Sequence, residues 1–382
     1  PPPPANPGGP TGGPPGGGTV TGGGAAPANE MSFENWLFWW AYNKDDILNL
    51  KAAVKNQENK ASTRGGSHFY GKGFDGDRGE TQAPTEAAIQ DKIVPALVAV
   101  VNNKEIHPDI RGGSLIALAR CGGNMKFVQT FFDIADPSSG EDKVVRESAI
   151  LALGILQLKD PEIREYRINL IDTEDDQLSV HCFGMMSLGL LQDNSKEVYD
   201  CLERRLDGSE AYLDIPTCAL ISMGLIGDNA KVPDLLKWLD MGRIGRFKLS
   251  DLERAHLVGA LGKIGDPQAL KPIAETLKKR GNVTRRSAMI AMGQIIPQLD
   301  AAEQAAHVKK FGSFFKNEKD NTARNFAVMS LGRIGGQPDA SDEVRKICVS
   351  ILSQHFVKGN KNTERPYAAL ALGLIAFESE AT

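Results

Sequence analysis

The stretch Arg146-Glu147-Ser148-Ala149-Ile150-Leu151-Ala152-Leu153-Gly154-Ile155-Leu156 recurs in altered form along most of the chain. The segments 254–265 and 324–335 repeat its order of basic, small and large apolar residues. Aligned on the glycine, eight copies have equivalent positions at Ala119, Gly154, Gly189, Gly224, Gly262, Gly293, Gly332 and Gly373. Neighbouring aligned positions are 35, 35, 35, 38, 31, 39 and 41 residues apart. A period of this size is the signature of a repeat architecture.

Each copy predicts a helix that packs closely against another helix. Two residues before the aligned position stands a small side chain, namely Ala117, Ala152, Ser187, Ser222, Ala260, Ala291, Ser330 and Ala371. One residue before it stands a large apolar side chain, namely Leu118, Leu153, Leu188, Met223, Leu261, Met292, Leu331 and Leu372. Small residues permit a close approach, and the large residue fills the core. The aligned glycine itself either ends the helix in a left-handed conformation or permits close contact.

A second amphipathic helix follows each copy after a short polar turn, as in the segment 232–239. Pro233 lies in its first turn, where the missing N–H costs nothing. Two helices with a short turn make an antiparallel pair, and stacked pairs make a solenoid. We therefore predict an all-α fold, a right-handed α-solenoid of about eight antiparallel helix pairs.

Eight residues before the aligned position the chain repeats a basic residue, as Arg111, Arg146, Arg254, Arg285, Arg324 and Arg365, with His181 and Pro216 in the other copies. An acid often lies just upstream, for example Asp142 or Asp320. A binding ladder is one interpretation. Because the arginine recurs with the structural period, we favour Arg–Asp pairs that tie one repeat to the next.

This pattern resembles the HEAT-repeat family, in particular its bacterial branch related to phycobilin-lyase-type repeats. The residues that carry the resemblance are Val145-Arg146, Ala149 and Ala152-Leu153-Gly154, and again Arg324, Ala327 and Leu331-Gly332. It extends from about Ala88 to the C-terminus. The resemblance implies a solenoid that serves as a binding scaffold. Di-iron hydroxylases built on such repeats need His-Glu pairs, and none of the six histidines here is followed by glutamate.

The chain divides into four segments. Residues 1–30 are rich in proline and glycine and predict a disordered linker. Residues 31–56 predict a helical cap in which Trp36, Trp39 and Trp40 share one face. That face either seals the first repeat, which we favour, or is an aromatic platform for a ligand or membrane. This segment looks similar to the Trp-rich segment of exported bacterial HEAT proteins.

Residues 57–85 predict a long polar, glycine-rich loop, and residues 86–382 the repeat array. Asp75 and Asp77 lack the later glutamate of an EF-hand loop, which disfavours calcium. The chain starts with proline and ends after an apolar helix, so we expect a fragment or processed form that continues beyond Thr382. The Pro/Gly-rich start favours an exported protein, with a cytoplasmic one as the alternative.

The net charge of −4 argues against a strongly basic nucleic-acid binder, but the charge is unevenly distributed. Acids dominate between residues 133 and 214, and bases between 231 and 286. The longer step of 38 residues carries a basic, glycine-containing loop beside Trp238, with Arg243, Arg246 and Lys248. We predict this loop as the contact site for a partner, with a solvated charge run as the equally weighted alternative.

The chemistry-bearing residues favour a protein without catalytic, metal or cofactor sites. The five cysteines form no Cys-x-x-Cys pair, so neither zinc nor a disulfide framework is supported, although one disulfide stays open in an exported protein. No P-loop, Gly-x-Ser-x-Gly or His-Glu-x-x-His motif is present. We predict a non-enzymatic scaffold that binds a protein or peptide on the concave surface, lined by the second helices. A phycobilin-lyase-like enzyme or chromophore-binding protein, and a nucleic-acid or membrane-surface module, are the alternatives.

Overall fold

The computed structural model describes residues 86–121, 125–172, 178–207, 214–278, 281–359 and 363–381. The predicted linker 1–30, the cap 31–56 with Trp36, Trp39 and Trp40, and the loop 57–85 lie outside the described residues.

The described residues form sixteen principal helices and one short hairpin. The helices are α1 (Val94–Asn102), α2 (Pro108–Arg120), α3 (Val128–Ala135), α4 (Lys143–Ile155), α5 (Pro161–Asp172), α6 (Leu178–Leu191), α7 (Lys196–Asp207), α8 (Asp214–Ile226), α9 (Val232–Met241), α10 (Asp251–Ile264), α11 (Leu270–Thr276), α12 (Asn282–Ile295), α13 (Ala301–Asn317), α14 (Asn321–Gly335), α15 (Asp342–Lys358) and α16 (Arg365–Ala381). A short α-helical turn (Glu86–Ala88) and a π-helical turn (Ile89–Ile93) lead into α1. Strands β1 (Arg243–Ile244) and β2 (Phe247–Lys248) join α9 to α10.

The helices form two layers. Each even-numbered helix carries one aligned position and packs against the even-numbered helices before and after it. Each odd-numbered helix packs against the even-numbered helix that follows it. The result is a stack of eight helix pairs, and the predicted HEAT-like α-solenoid is thereby confirmed.

The core lies between the two layers. The large apolar residue before the aligned position is buried in seven of the eight copies, Leu118 to Leu331, and partly buried at Leu372. Each fully buried side chain of this kind contributes about 1.5–3 kcal/mol. The buried apolar residues form two clusters, one from Val94 to Val180 and one from Ile171 to Ile375, and each cluster extends over several helix pairs.

The aligned glycines are points of contact between neighbouring even-numbered helices. A Cβ added at Gly154 would lie 2.8 Å from the Cα of Ser187, and one at Gly224 would lie 2.8 Å from the Cα of Ala260. The same relationship, with the small residue of the following copy, holds for Gly189, Gly262, Gly293 and Gly332. Of the two roles considered for this glycine, close helix contact is therefore the one observed.

In four copies a left-handed residue lies three positions after the aligned one and ends the helix. Gly227 and Gly265 occupy it with φ of 75° and 82°. Gln157 and Gln192 occupy the same position in earlier copies with φ of 52° and 55°. A side chain is strained in this conformation, and glycine is not.

The recurring arginine ties repeats together, and in three copies its acidic partner is a glutamate. On one side the basic residue binds a carbonyl oxygen at the end of the preceding odd-numbered helix, as Arg111 Nε does with Val101 at 2.9 Å. On the other side it pairs with a glutamate that precedes the next even-numbered helix. These ion pairs are Arg111–Glu141 at 2.7 Å, Arg285–Glu318 at 3.1 Å and Arg324–Glu364 at 3.1 Å.

The upstream aspartates, for which the sequence predicts pairing with these arginines, cap helices. Asp142 and Asp320 accept hydrogen bonds from backbone N–H groups in the first turns of α4 and α14. Asp251 accepts from the backbone of Val283 and Thr284, and so caps α12 of the next repeat. Carboxylates at helix N-termini are stabilising, since they meet unpaired N–H groups there.

Unequal spacing of the layers sets the direction of curvature. Every pair of neighbouring even-numbered helices is in closer contact than any pair of neighbouring odd-numbered helices, of which α13 and α15 have the most extensive contact. A stack bends toward its more closely spaced layer, because interaxial distance depends on the side chains at the contact. We infer from this spacing that the even-numbered helices line the concave side, whereas the sequence-based prediction assigned that side to the second, odd-numbered helices.

Candidate docking surfaces

The predicted basic loop is a two-stranded hairpin. Arg243 pairs with Lys248, and Ile244 pairs with Phe247, in antiparallel register. Gly245 takes the first turn position with φ of 52°, as a tight hairpin turn requires. The backbone N–H of Leu249 donates to the carbonyl of Gly242 at 3.0 Å and closes the hairpin.

The hairpin has one buried and one exposed face. Ile244 and Phe247 are buried, while Arg243 and Lys248 are exposed side by side, and Arg246 is exposed at the turn. The alternation along each strand therefore places the basic side chains outward. Trp238 is partly buried against the core cluster, so the structure does not place it on the exposed basic face.

Several other bases of the 231–286 stretch have structural roles. Lys231 pairs with Glu203 at 2.8 Å, and Arg285 and Arg286 pair with acids that precede α14. These ion pairs bridge adjacent repeats. The basic character of the stretch is thus only partly available to a partner, and its exposed part centres on the hairpin.

A second surface lies on the concave side. The residue one before the aligned position faces the core. With about 3.6 residues per turn, the residues three before and one after the aligned position lie on the opposite side of the helix. The residues three before it are Ile116, Leu151, Met186, Ile221, Gly259, Ile290, Met329 and Leu370, of which all but Gly259 are large and apolar. Those seven side chains are half-buried or, for Ile290, 40% exposed. We call these seven residues the apolar ladder.

The ladder widens on α4, α6 and α8. There the residue one after the aligned position is also apolar and half-buried, as Ile155, Leu190 and Leu225. Met186 Sδ lies 3.9 Å from Ser222 Oγ across the contact between α6 and α8. Leu225 reaches across the same contact, because its Cδ1 would lie 3.2 Å from a Cβ at Gly189. The apolar surface is therefore continuous between α6 and α8.

Basic residues flank this apolar region at the equivalent position. Arg120 on α2, Lys263 on α10 and Arg333 on α14 stand one residue after the aligned position and are exposed. His256 on α10 is half-buried on the same side, and burial lowers its pKa, so its imidazole is neutral near pH 7. This face thus has an apolar centre on α4, α6 and α8 and exposed basic residues on α2, α10 and α14, while α12 and α16 carry Gln294 and Leu374 at the same position.

Sequence reasoning missed this surface, although a signal was present. The residue three before the aligned position is large and apolar in seven of eight copies. A helix that is apolar on all sides is normally buried all round. On α6 and α8 the described residues leave one apolar side of the helix only partly buried. The stacking of the layers shows which side this is.

The described part of the chain holds no group of three or more His, Cys, Asp or Glu side chains placed to bind a metal ion. Within the same residues no helix combines the length and apolar character needed to cross a bilayer.

Comparisons with known proteins found distant likenesses to two solved structures. The complex of CpcE and CpcF of phycocyanin lyase from Nostoc sp. PCC7120 matches with 20% identity and a TM-score of 0.39, covering 66% of this chain and 94% of that chain. Human deoxyhypusine hydroxylase in complex with glycerol matches with 16% identity and a TM-score of 0.31, covering 76% and 98%. Neither likeness assigns an activity to this chain. No family model and no curated protein matches the sequence.

Proposed function

We propose that this protein is a non-enzymatic scaffold that binds a segment of a partner protein along the concave face. The observation that supports this most is the apolar ladder, and in particular its wide part on α4, α6 and α8. Contiguous apolar surface of this kind, bordered by polar residues, is typical of protein interaction sites. Two layers of rigid helices also hold such a surface in place without the ordering cost of a loop.

The partner segment is apolar in its middle and acidic toward its ends. Its apolar side chains bury against Leu151, Met186 and Ile221, which follow one another at the repeat spacing. Its acidic residues lie near Arg120 and Lys263. This complementarity disfavours nucleic acid as the partner, because the apolar side chains at the centre of the site would then lie against a charged phosphate backbone.

The basic hairpin is a second, smaller contact in the proposal. Arg243 and Lys248 are exposed together, and Leu252, which is 41% exposed, follows them at the start of α10. Such rim charges change association rates and salt dependence more than they change affinity. The hairpin therefore guides an acidic partner, while the ladder supplies the affinity.

The test is an affinity capture with the full chain and three variants. Met186→Glu with Ile221→Glu disrupts the ladder, Arg243→Glu with Lys248→Glu reverses the hairpin charge, and Val349→Glu is the control. Val349 lies on α15, outside the ladder, and is 38% exposed. A captured protein is identified by mass spectrometry, and its acidic, apolar segments are synthesised and titrated against each variant by calorimetry.

The proposal expects one such peptide to bind the wild type and the control, and to lose at least tenfold in affinity for the ladder variant. Equal binding to the ladder variant would overturn it. The proposal would also be overturned if nuclease treatment removed the captured partner. The same holds if the chain bound to itself and the ladder variant abolished that self-association.

A further inference from the structure

Two cysteines face each other between adjacent even-numbered helices. Cys182 lies on α6, and Cys218 lies on α8; both are half-buried, and neither is in a disulfide in the structure. Just below them Ser222 Oγ donates to the carbonyl of Met185 at 2.7 Å, so α6 and α8 are in close contact at this level. One helical turn closer to the N-terminus of each helix, the same contact places Cys182 opposite Cys218.

Other repeats show how close these two positions are. Cys182 stands seven residues before its aligned position, and Cys218 six residues before the next one. At the equivalent pair between α2 and α4, a Cβ on Gly112 would lie 3.3 Å from the Cβ of Ser148. At the equivalent pair between α10 and α12, Ser287 Oγ donates to the carbonyl of Ala255 at 2.6 Å. A disulfide needs a Cβ–Cβ separation of about 3.5–4.5 Å.

The two thiols also interact directly. A hydrogen bond from Cys182 holds the pKa of Cys218 below its ordinary value, although burial works against this. The same hydrogen bond, together with burial, raises the pKa of Cys182. Since the thiolate is the attacking species in disulfide exchange, we assign the first attack to Cys218.

We propose that Cys182 and Cys218 form a reversible disulfide that joins α6 to α8 when the protein meets a disulfide oxidant such as glutathione disulfide. The Cys218 thiolate attacks one glutathione sulfur, forms a mixed disulfide and releases a glutathione thiolate. Cys182 then loses its proton to solvent and attacks the Cys218 sulfur, which releases the second glutathione. Two protein thiols are oxidised, and one glutathione disulfide is reduced to two glutathione thiols.

The disulfide lies beside the wide part of the ladder. Met186 is one turn after Cys182 on α6, and Ile221 is three residues after Cys218 on α8. Oxidation therefore fixes the spacing of two helices that carry ladder residues. This inference does not depend on the proposed partner, because the thiols and their chemistry are properties of the chain alone.

The test incubates the full chain in buffers from reduced to oxidised glutathione, then quenches with acid, alkylates and digests. We expect a peptide pair linked through Cys182 and Cys218 and lighter by two hydrogens, with the loss of two alkylatable thiols. Cys201 and Cys348 are fully buried, so we expect them to be alkylated only after denaturation. They therefore serve as internal controls.

Cys182→Ser and Cys218→Ser separate pairing from simple reactivity. With Cys182 replaced, Cys218 is expected to stop at the glutathione mixed disulfide; with Cys218 replaced, Cys182 is expected to react more slowly. If wild-type protein carries glutathione on both cysteines without the link, or if the link joins other cysteines, the proposal is wrong.

Discussion

A Cβ added to Gly262 would lie 2.5 Å from the Cβ of Ala291 and 2.6 Å from its Cα. Two even-numbered helices meet here almost backbone to backbone. The same pairing of a glycine with the small residue of the next copy recurs from Gly154 to Gly332. Curvature and the position of the concave face both depend on it, so it is the contact to perturb first.

Gly262→Ala should destabilise the protein although alanine is the better helix former. The methyl group overpacks the contact at a cost of about 1–3 kcal/mol, which exceeds the gain in helix propensity of about 1 kcal/mol. Gly113→Ala is the matched control, because it lies in α2 with no atom within 4 Å of the added Cβ. That variant should gain about 0.5–1 kcal/mol. Urea unfolding followed by circular dichroism measures both, and a stabilised Gly262→Ala would refute the close contact.

Arg111→Met should destabilise the protein at neutral pH. The Arg111 and Glu141 side chains are only 4% and 8% exposed, and without the arginine the buried carboxylate keeps only its ion pair with Lys104, so the substitution should cost about 1–3 kcal/mol. Lys309→Met, which breaks the exposed pair with Glu343, should cost less than about 1 kcal/mol. Urea midpoints of the two variants and the wild type at pH 7 provide the comparison.

The cost of Arg111→Met should depend on pH with a definite sign. The hydrogen bond from Arg111 is the main reason that the pKa of Glu141 is lower in the folded protein than its ordinary value. A lowered folded-state pKa stabilises the protein above the unfolded-state pKa, and this stabilisation is lost as the pH falls through the folded-state value. The difference between wild type and variant should therefore be full at pH 7 and shrink below pH 4. A difference that grows on acidification would contradict the ion pair.

Substitutions at the neighbouring hairpin residues Phe247 and Lys248 should have effects of very different size on the stability of the protein. Phe247 is buried under the hairpin, and Phe247→Ala should cost about 3 kcal/mol. Lys248 is exposed beside Arg243, and Lys248→Glu should change stability by less than about 0.5 kcal/mol. Thermal unfolding of both variants tests the register, and a one-residue slip of the hairpin would exchange the two effects.

Much of the fold could be predicted from the sequence because the repeat period amplifies weak signals. A glycine or a small residue at one position means little, but eight copies in register define a helix contact. The partner of the recurring arginine could not be predicted, because Glu141 and Asp142 are adjacent in sequence. Which of them turns toward Arg111 depends on which one caps α4, and that is decided by loop geometry.

The candidate site was harder to predict than the fold. The charge of Arg243, Arg246 and Lys248 was visible, but the pairing that places Phe247 inward and Lys248 outward was not. The ladder residues resemble core residues in the sequence, since Ile221 and Leu220 are both apolar. Only the closer spacing of the even-numbered layer distinguishes the open concave face from the buried one.

Site-specific photo-crosslinking tests the central claim most directly. Benzoylphenylalanine is placed at Ile221, at Ile290 or at Val349 in the full chain, and the partner identified by capture is added before irradiation. Docking on the concave face predicts crosslinks from positions 221 and 290 and none from position 349. Crosslinks from position 349 alone, with none from the ladder, would contradict it.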